Sequence, residues 1–356
     1  MMRVFNFSPG PATLPEEVLK IAQRDLLDYN GCGFSVMEMS HRSKPYEEIN
    51  QRAQSLLREL MNIPDNYEVI FVQGGATTQF EAVPLNISVN KRADYVVTGN
   101  FAKKAYKEAC KYGDMVVAAS SEDQNFTYIP KTFNFRDNID YVHITTNNTI
   151  FGTRFTKIPK ANAPIVADMS SNILSEKINV NDFGVIYAGA QKNLGPAGVT
   201  VVIIRNDLLD KAHELCPTML KWSVHVKDKS LYNTPACWSV YIMMLVLEWL
   251  KNIGGVEFIQ KVNEEKAQIL YDFIDSSDFY TNKVNKEDRS IMNVPFTTPS
   301  PELDEKFIAE AAKNGLKQLK GHRLVGGMRA SIYNAMPVEG VIKLVEFMKK
   351  FELENK

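Results

Sequence analysis

One lysine, Lys192, stands in the stretch AGAQKNLGPAG (188–198), between a run of small residues and a Gly-Pro-Ala-Gly turn, just ahead of the apolar run VTVVIIR. At a junction of strand and loop a lysine is ordinarily a solvated charge, and position alone leaves that reading open. Its neighbours point elsewhere, because Ala188, Gly189 and Ala190 leave room for a bulky planar group. In a partly desolvated pocket an ammonium loses its proton more readily, and the neutral amine then attacks an aldehyde. The chemistry within reach is a Schiff base.

An aldehyde such as pyridoxal 5'-phosphate makes three further demands: an anion for the pyridinium nitrogen, a surface for the ring and a cradle for the phosphate. The segment PIVADMSSN ends an apolar run with Asp168, one βαβ-sized step before Lys192. A buried carboxylate there keeps a ring nitrogen protonated, while a helix cap or turn aspartate is the other reading of the same residue. For the phosphate, VIFVQGGATTQFEAV runs from a strand through Gly74 and Gly75 into a helix beginning near Ala76 to Thr78. Helix-terminal N–H groups and the Thr77 hydroxyl suit a dianion, although a Gly-Gly pair at such a junction also serves a bare bend. The segment matches neither GxGxxG nor GxxxxGK[ST], so dinucleotide and P-loop motifs are absent at this point.

These residues need a scaffold. YEVIFV, ADYVVTG, DMVVAAS, YVHITT, PIVAD, GVIYAG and VTVVIIR are short, apolar, β-branched runs, several separated by helical segments such as FAKKAYKEACKYG. That alternation predicts an α/β domain around a mainly parallel seven-stranded sheet covered by helices on both faces. Two helices precede it, in PEEVLKIAQRDLLDY and PYEEINQRAQSLLREL, the second with Ile49, Ala53, Leu56, Leu57 and Leu60 on one face. After a long apolar helix (236–252), Gly254 and Gly255 mark a boundary. Beyond it a helical pattern restarts, and strand (RSIMNVPF), helix (DEKFIAEAAKNG), strand (MRASIY) and a final helix make a smaller α+β domain. The expected division is 16–254 for the large domain and 255–356 for the small one, with residues 1–15 associated with the latter.

Composition narrows the partners. The 356 residues are 45% hydrophobic, enough to fill a sizeable core. Lys plus Arg (41) nearly balances Asp plus Glu (42), so no global field recruits nucleic acid or an anionic membrane, and any anion site is local. Cys32, Cys110, Cys216 and Cys237 are widely spaced with no CxxC pair, which suits reduced thiols better than a disulfide framework or a metal site. Cys32, between Gly31 and Gly33, reads as a packing residue rather than a nucleophile. The start MMRVFNFSPGPATLP has early prolines and no apolar signal region, and ACWSVYIMMLVLEWL falls short of a bilayer span with Glu248 inside it. A cytoplasmic protein is expected.

Taken together, FNFSPGPATLPEEVL, MSHRS, QGGATTQFEAVPLN, NNTIFGTRF, VADMSSNILS, YAGAQKNLGPAGVT, YNTPACWSVY and GHRLVGGMRASIYNAMP resemble the phosphoserine aminotransferase family, in the class V branch of fold-type I pyridoxal-phosphate enzymes. The resemblance covers essentially the whole chain, and its strings occur in family order. It implies that Lys192 bonds covalently to pyridoxal 5'-phosphate, that Asp168 pairs with the pyridinium nitrogen and that Thr149 bonds the ring's phenolic oxygen. Ala76, Thr77 and Gln191 would hold the phosphate from one subunit, while Asn233 and Thr234 reach in from the other, which implies a homodimer with shared sites. Where the family usually has tryptophan above the ring, TGNFAKKA offers Phe101, a π-face without the indole N–H. Thr77 is neutral where some members carry a cation.

The same resemblance assigns His41, Arg42, His322, Arg323 and Arg329 to the substrate's phosphate and carboxylates, some from the partner subunit. Guanidiniums bind both groups bidentately, and histidine adds a charge-assisted donor. Any one of these arginines alone also reads as half of a surface ion pair, and either histidine as an ordinary imidazole. Two His-Arg dipeptides in a chain with five histidines favour the anion site. The implied reaction interconverts 3-phosphoserine and 2-oxoglutarate with 3-phosphohydroxypyruvate and glutamate in serine biosynthesis. 4-Phosphohydroxythreonine, of pyridoxine biosynthesis, is a further substrate of some members. Competing expectations are an alanine-glyoxylate transaminase, a cysteine desulfurase and a catalytically silent cofactor sensor. A desulfurase needs a mobile cysteine, alanine has no distal anion, and a sensor has no need of two anion-binding pairs.

Overall fold

A computed structural model describes residues 3–356. In chain order its elements begin with β1 (Phe5–Asn6), α1 (Glu16–Arg24), α2 (Lys44–Met61), β2 (Tyr67–Val72), α3 (Gly75–Ile87), β3 (Arg92–Val97), α4 (Asn100–Ala109) and β4 (Asp114–Ser120). They continue with β5 (Tyr141–Thr145), β6 (Ile165–Asp168), β7 (Val185–Gly189), β8 (Thr200–Arg205), α5 (Trp222–Lys227), α6 (Cys237–Asn252) and α7 (Gly255–Ser276). The last are β9 (Asn293–Phe296), α8 (Pro301–Lys313), β10 (Leu316–Lys317), β11 (Met328–Ser331) and α9 (Val338–Asn355).

The seven apolar runs are the seven strands of one sheet, in the order β2-β8-β7-β6-β5-β3-β4. Strands β5, β6 and β7 are buried along their whole length, because helices cover both faces and no residue needs to face water. Strand β8 alone runs against its neighbours, pairing antiparallel with β2 and β7. All the other pairings are parallel, as the mainly parallel sheet requires. On one face α2 and α6 carry Ile49, Ala53, Leu56, Tyr241 and Leu247 into the core. The apolar 236–250 segment is that buried helix, and its Glu248 accepts from Arg52 Nε at 3.0 Å at the rim. Among the described residues no helix is long and apolar enough to cross a membrane.

A second core gathers Phe7, Leu270, Tyr271, Phe296, Phe307, Met328 and Phe351. It rests on the antiparallel pair β9–β11 and on helices α8 and α9, and α7 links the two cores by burying Val256 and Ile259 in the first and Leu270 and Ile274 in the second. The N-terminal strand β1 joins this side by pairing parallel with β10. Helix α1 stops at Arg24, short of the periodic run that suggests Tyr29, because Asp25 turns inward to accept from Tyr241 Oη and Arg24 Nε. The run RSIMNVPF is strand over Asn293–Phe296 only, since Ser290 bends the chain by accepting from the Met292 and Asn293 amides.

The consequence for chemistry is positional. Strands β2, β3, β5, β6 and β7 point the same way, so the turns that follow them gather at one end of the sheet. That end of the sheet carries Asp168 at the close of β6, Phe101 at the start of α4, and Gly74, Thr149 and Lys192 in the turns.

Candidate active site

Asp168 is the last residue of β6 and is only 5% exposed. Its Oδ1 accepts from the Ser170 amide at 2.9 Å and the Ser170 hydroxyl at 2.6 Å. Ser170 Oγ in turn accepts from the Gly189 amide at 3.1 Å, so the end of β7 fixes the carboxylate on β6. Burial pushes the Asp168 pKa up, while the Ser170 bonds and the charge of Lys192 pull it back. A carboxylate held this way favours a cationic partner at its free oxygen.

Lys192 follows β7 by a few residues and is half-buried. Its Nζ donates to Thr149 Oγ1 at 2.7 Å. Burial pushes its pKa down to about 8, helped by Arg329 and opposed by Asp168. The Phe101 ring, at the start of α4, has its centroid 5.7 Å from Nζ. Gly10 lies against the Lys192 stem, and the Ala12 amide donates to the Gln191 carbonyl at 2.9 Å, so the N-terminal segment closes over the lysine. The amine and aromatic face that the sequence suggests therefore meet, with the Asp168 charge within electrostatic reach of the amine.

The turn after β2 makes the third part. Gly74 adopts φ +95°, and a Cβ there would fall 2.1 Å from Thr78 Oγ1 and 2.8 Å from Thr78 Cβ. Thr78 cannot retreat without giving up its bond to the Gly74 carbonyl at 2.9 Å. The amides of Gly75, Ala76 and Thr77 open α3 and have no intrahelical acceptors, as at any helix start. A Cβ on Gly189 would lie 2.8 Å from Gln191 Oε1 and 3.6 Å from the Ala76 nitrogen, so the absence of a side chain lets Gln191 and Ala76 converge. Gly74→Ala is expected to strain this turn by about 1–3 kcal/mol and to weaken pyridoxal-phosphate retention roughly tenfold or more, as 1.4 kcal/mol corresponds to tenfold. Fluorescence titration of the apoprotein reads the change, and unaltered affinity would mean that the turn is no cradle.

Arg329, on β11, is 5% exposed, and its Nη1 donates to the Thr149 carbonyl at 3.0 Å. Its Nε is buried without a partner, and among the described residues no carboxylate forms an ion pair with it. A buried guanidinium lacking a counter-ion is costly unless an anion arrives. His322 and Arg323 belong to the loop between β10 and β11, where His322 Nδ1 accepts from the Leu324 amide at 3.2 Å. Burial lowers the His322 pKa, and the positive charges of Arg329, Arg323 and Lys104 lower it further. Arg329, Arg323 and Lys104 are thus within electrostatic reach of His322.

The remaining candidates form a separate group. His41 Nδ1 and Thr234 Oγ1 share a hydrogen bond at 3.1 Å, Gln73 Nε2 donates to the Thr234 carbonyl at 2.9 Å, and Asn233 Nδ2 bonds the same carbonyl at 3.4 Å. Arg42 is exposed beside them, and no hydrogen bond links any of these residues to Lys192, Asp168 or Arg329 among the described residues.

Sequence reasoning passed over the residues that lock the site. Asn147 donates to Ser171 Oγ at 2.8 Å and to Asn293 Oδ1 at 2.9 Å, Asn293 donates to Tyr333 Oη at 3.1 Å, and Tyr333 donates to the Pro9 carbonyl at 2.8 Å. Beside the lysine, Asn193 accepts from the Asn334 amide at 3.0 Å and donates to the Ile173 carbonyl at 2.9 Å. The NN pair of the TTNNT segment and the asparagine after Lys192 were the only local signals of this network.

The sequence pattern of the family described as Aminotransferase class-V matches residues 4–344. A phosphoserine aminotransferase of Bacillus cereus is 56% identical over 100% of both chains. Among solved structures, phosphoserine aminotransferase from Bacillus circulans subsp. alkalophilus superposes with a TM-score of 0.97 at 47% identity, covering 99% of each chain. The pyridoxal-phosphate-bound phosphoserine aminotransferase of Trichomonas vaginalis gives 0.94 at 37% identity, covering 98% of this chain and 100% of that one.

Proposed function

The chain belongs to the class-V aminotransferase family, and on that premise we propose that it transfers an amino group between 3-phosphoserine and 2-oxoglutarate, giving 3-phosphohydroxypyruvate and glutamate. Its cofactor is pyridoxal phosphate, and the residues present fit that group. The fit rests on an amine of lowered pKa, a carboxylate with a free oxygen, an aromatic face and a turn that a single Cβ would fill. Lys192 would hold its aldehyde, Asp168 its ring nitrogen, Thr149 its phenolic oxygen, and Ala76, Thr77 and Gln191 its phosphate. When bound, the group supplies a conjugated, protonated ring that takes up the electron pair released at the substrate Cα.

The observation that carries the substrate assignment is Arg329, buried and without a counter-ion next to Thr149 and Lys192. It takes the α-carboxylate common to all four substrates. Lys192, oriented by Thr149, moves the proton on and off Cα. His322 and Arg323 face the distal anion, so a phosphate or a second carboxylate fits the same end. Alanine has no such group. His41, Arg42, Asn233 and Thr234 serve the site of a second copy in a homodimer. Met37 (57% exposed) and Tyr232 (45% exposed) flank them as the apolar surface such a contact would cover. Serine biosynthesis in the cytoplasm is the setting this chemistry suits.

Absorbance tests the proposal. The purified protein should be yellow, bleach with phosphoserine and regain colour with 2-oxoglutarate. A colourless protein, or one bleached equally well by alanine, overturns it.

A further inference from the structure

Lys266, in the middle of α7, is fully buried and takes no part in the site described above. Burial pushes its pKa down to about 7, and no neighbouring charge opposes that. The hydrogen bonds do oppose it. Lys266 Nζ donates to the carbonyls of Ile332, Tyr333 and Met336 at 3.0, 2.8 and 3.0 Å. Three acceptors take three N–H donors, which only the ammonium has, and bonds to the charged form favour it. The side chain is thus a tethered cation inside the turn that joins β11 to α9. Asn263, one helical turn earlier on the same face of α7, grips that turn as well: its Nδ2 donates to Asn334 Oδ1 and to the Ser175 carbonyl, both at 2.9 Å. The turn reaches the active-site lysine by two branches. In one, the Asn334 amide donates to Asn193 Oδ1 at 3.0 Å, and Asn193 is the residue that follows Lys192. In the other, Tyr333 Oη donates to the Pro9 carbonyl at 2.8 Å, and Gly10, next in the chain, lies against the Lys192 stem.

We propose that Lys266 is a positioning residue of the active site: its ammonium fixes the turn after β11, and through Asn334 and Tyr333 it sets where the Lys192 amine stands. The proposal rests on the reading of Lys192 above and deepens it. Without the ammonium, three buried carbonyls lose their donor and the turn shifts to find others. Both branches move with it, because each begins at a residue whose own carbonyl or side chain α7 holds. The charges that reach Lys192 are those of Asp168 and Arg329, so Lys266 acts on it through the turn and not through space.

Competitive acetylation of the apoprotein, read by peptide mass spectrometry, titrates each lysine separately and needs neither cofactor nor turnover. Lys266→Met keeps an apolar stem of similar length and has no N–H to donate. Its Lys192 is expected to titrate above about 8, toward the 10.5 of an ordinary lysine, as the loosened turn admits water to the amine. Turnover of the holoenzyme should fall about 10²-fold, the cost of a misplacement of about 1 Å. Lys266→Gln keeps two donors and should shift Lys192 in the same direction by less. Leu270→Ala, one turn along α7 in the same core, is the control for lost stability and should leave the Lys192 midpoint where it was. An unmoved midpoint in Lys266→Met, or an equal shift in Leu270→Ala, overturns the proposal. If Lys266→Met does not fold, Lys266→Gln decides in the same way. Phosphoserine bleaching of the parent protein separates the two ideas. If the parent does not bleach but the Lys192 midpoint moves in the variants, the substrate reading falls and Lys266 still places the amine. If the parent bleaches and the midpoint stays, Lys266 alone falls.

Discussion

Lys192→Ala is expected to lower turnover by about 10²–10⁴-fold, the contribution of a positioned general base, and to leave a protein that still holds pyridoxal phosphate but without a borohydride-reducible bond. Nothing else replaces this amine, since Thr149 is its hydroxyl partner and Arg329 stays protonated. Lys192→Arg should be as inactive as the alanine variant, because a guanidinium keeps its proton. Burial holds the Lys192 pKa at about 8, against 10.5 for an ordinary lysine. The neutral amine is the attacking form, so the rate at which the apoprotein captures the cofactor should rise with pH through about 8 and then level. An exposed lysine would still be gaining above pH 10. The folded apoprotein also holds fewer protons than the unfolded chain between about pH 8 and 10.5, so this residue's contribution to stability grows with pH across that window. Stopped-flow absorbance of cofactor capture and steady-state turnover of the variants supply the checks. Activity within tenfold of the parent would remove Lys192 from the chemistry.

Much of this site was legible in the sequence, for reasons that differ residue by residue. The seven strands announce themselves because they are buried on both faces, which forces near-continuous apolar runs such as YVHIT and VIYAG. Direction is not encoded in such a run, and the reversal of β8 depends on the short connection through Gly195 and Gly198 that returns the chain beside β7. Asp168 stands out because it ends an apolar strand, and Lys192 because it follows one closely among small neighbours. The pairing of β1 with β10 escapes any local pattern, since two-residue strands carry no period and their partners are some three hundred positions apart. The same holds for the network around Thr149. Tyr333 and Pro9 stand 324 positions apart, and neither has a neighbour that advertises the contact. Ser170 is an intermediate case. Its position two residues after Asp168 is that of a side chain that reaches back to a strand-end carboxylate, and the structure uses it so.

Asp168→Asn should separate catalysis from folding. The amide is isosteric, and its oxygen can keep both Ser170 bonds, so the turn after β6 retains its shape. What changes is the second atom, which becomes an N–H donor where a carboxylate oxygen stood. In the proposed role Asp168 would hold a proton on the cofactor's ring nitrogen by opposing its positive charge, whereas an N–H group facing the same nitrogen would favour its unprotonated form. Breaking a buried charge pair by removing one partner costs about 3–5 kcal/mol, which corresponds to a loss of roughly 10²–10³-fold or more in turnover. The stability of the apoprotein should move the other way. Burial raises the Asp168 pKa in the folded state above its ordinary value. The folded chain then binds more protons than the unfolded one as pH rises from about 4, so the parent apoprotein loses stability in that range where the asparagine variant does not. At neutral pH the variant apoprotein is expected to melt at or above the parent temperature while its holoenzyme is nearly inactive. Calorimetric melting and kcat together make the test: turnover within tenfold of the parent would show that Asp168 does not govern the ring nitrogen. A large loss of apoprotein stability would instead make it a structural turn residue, the reading that its place before Ser170 left open.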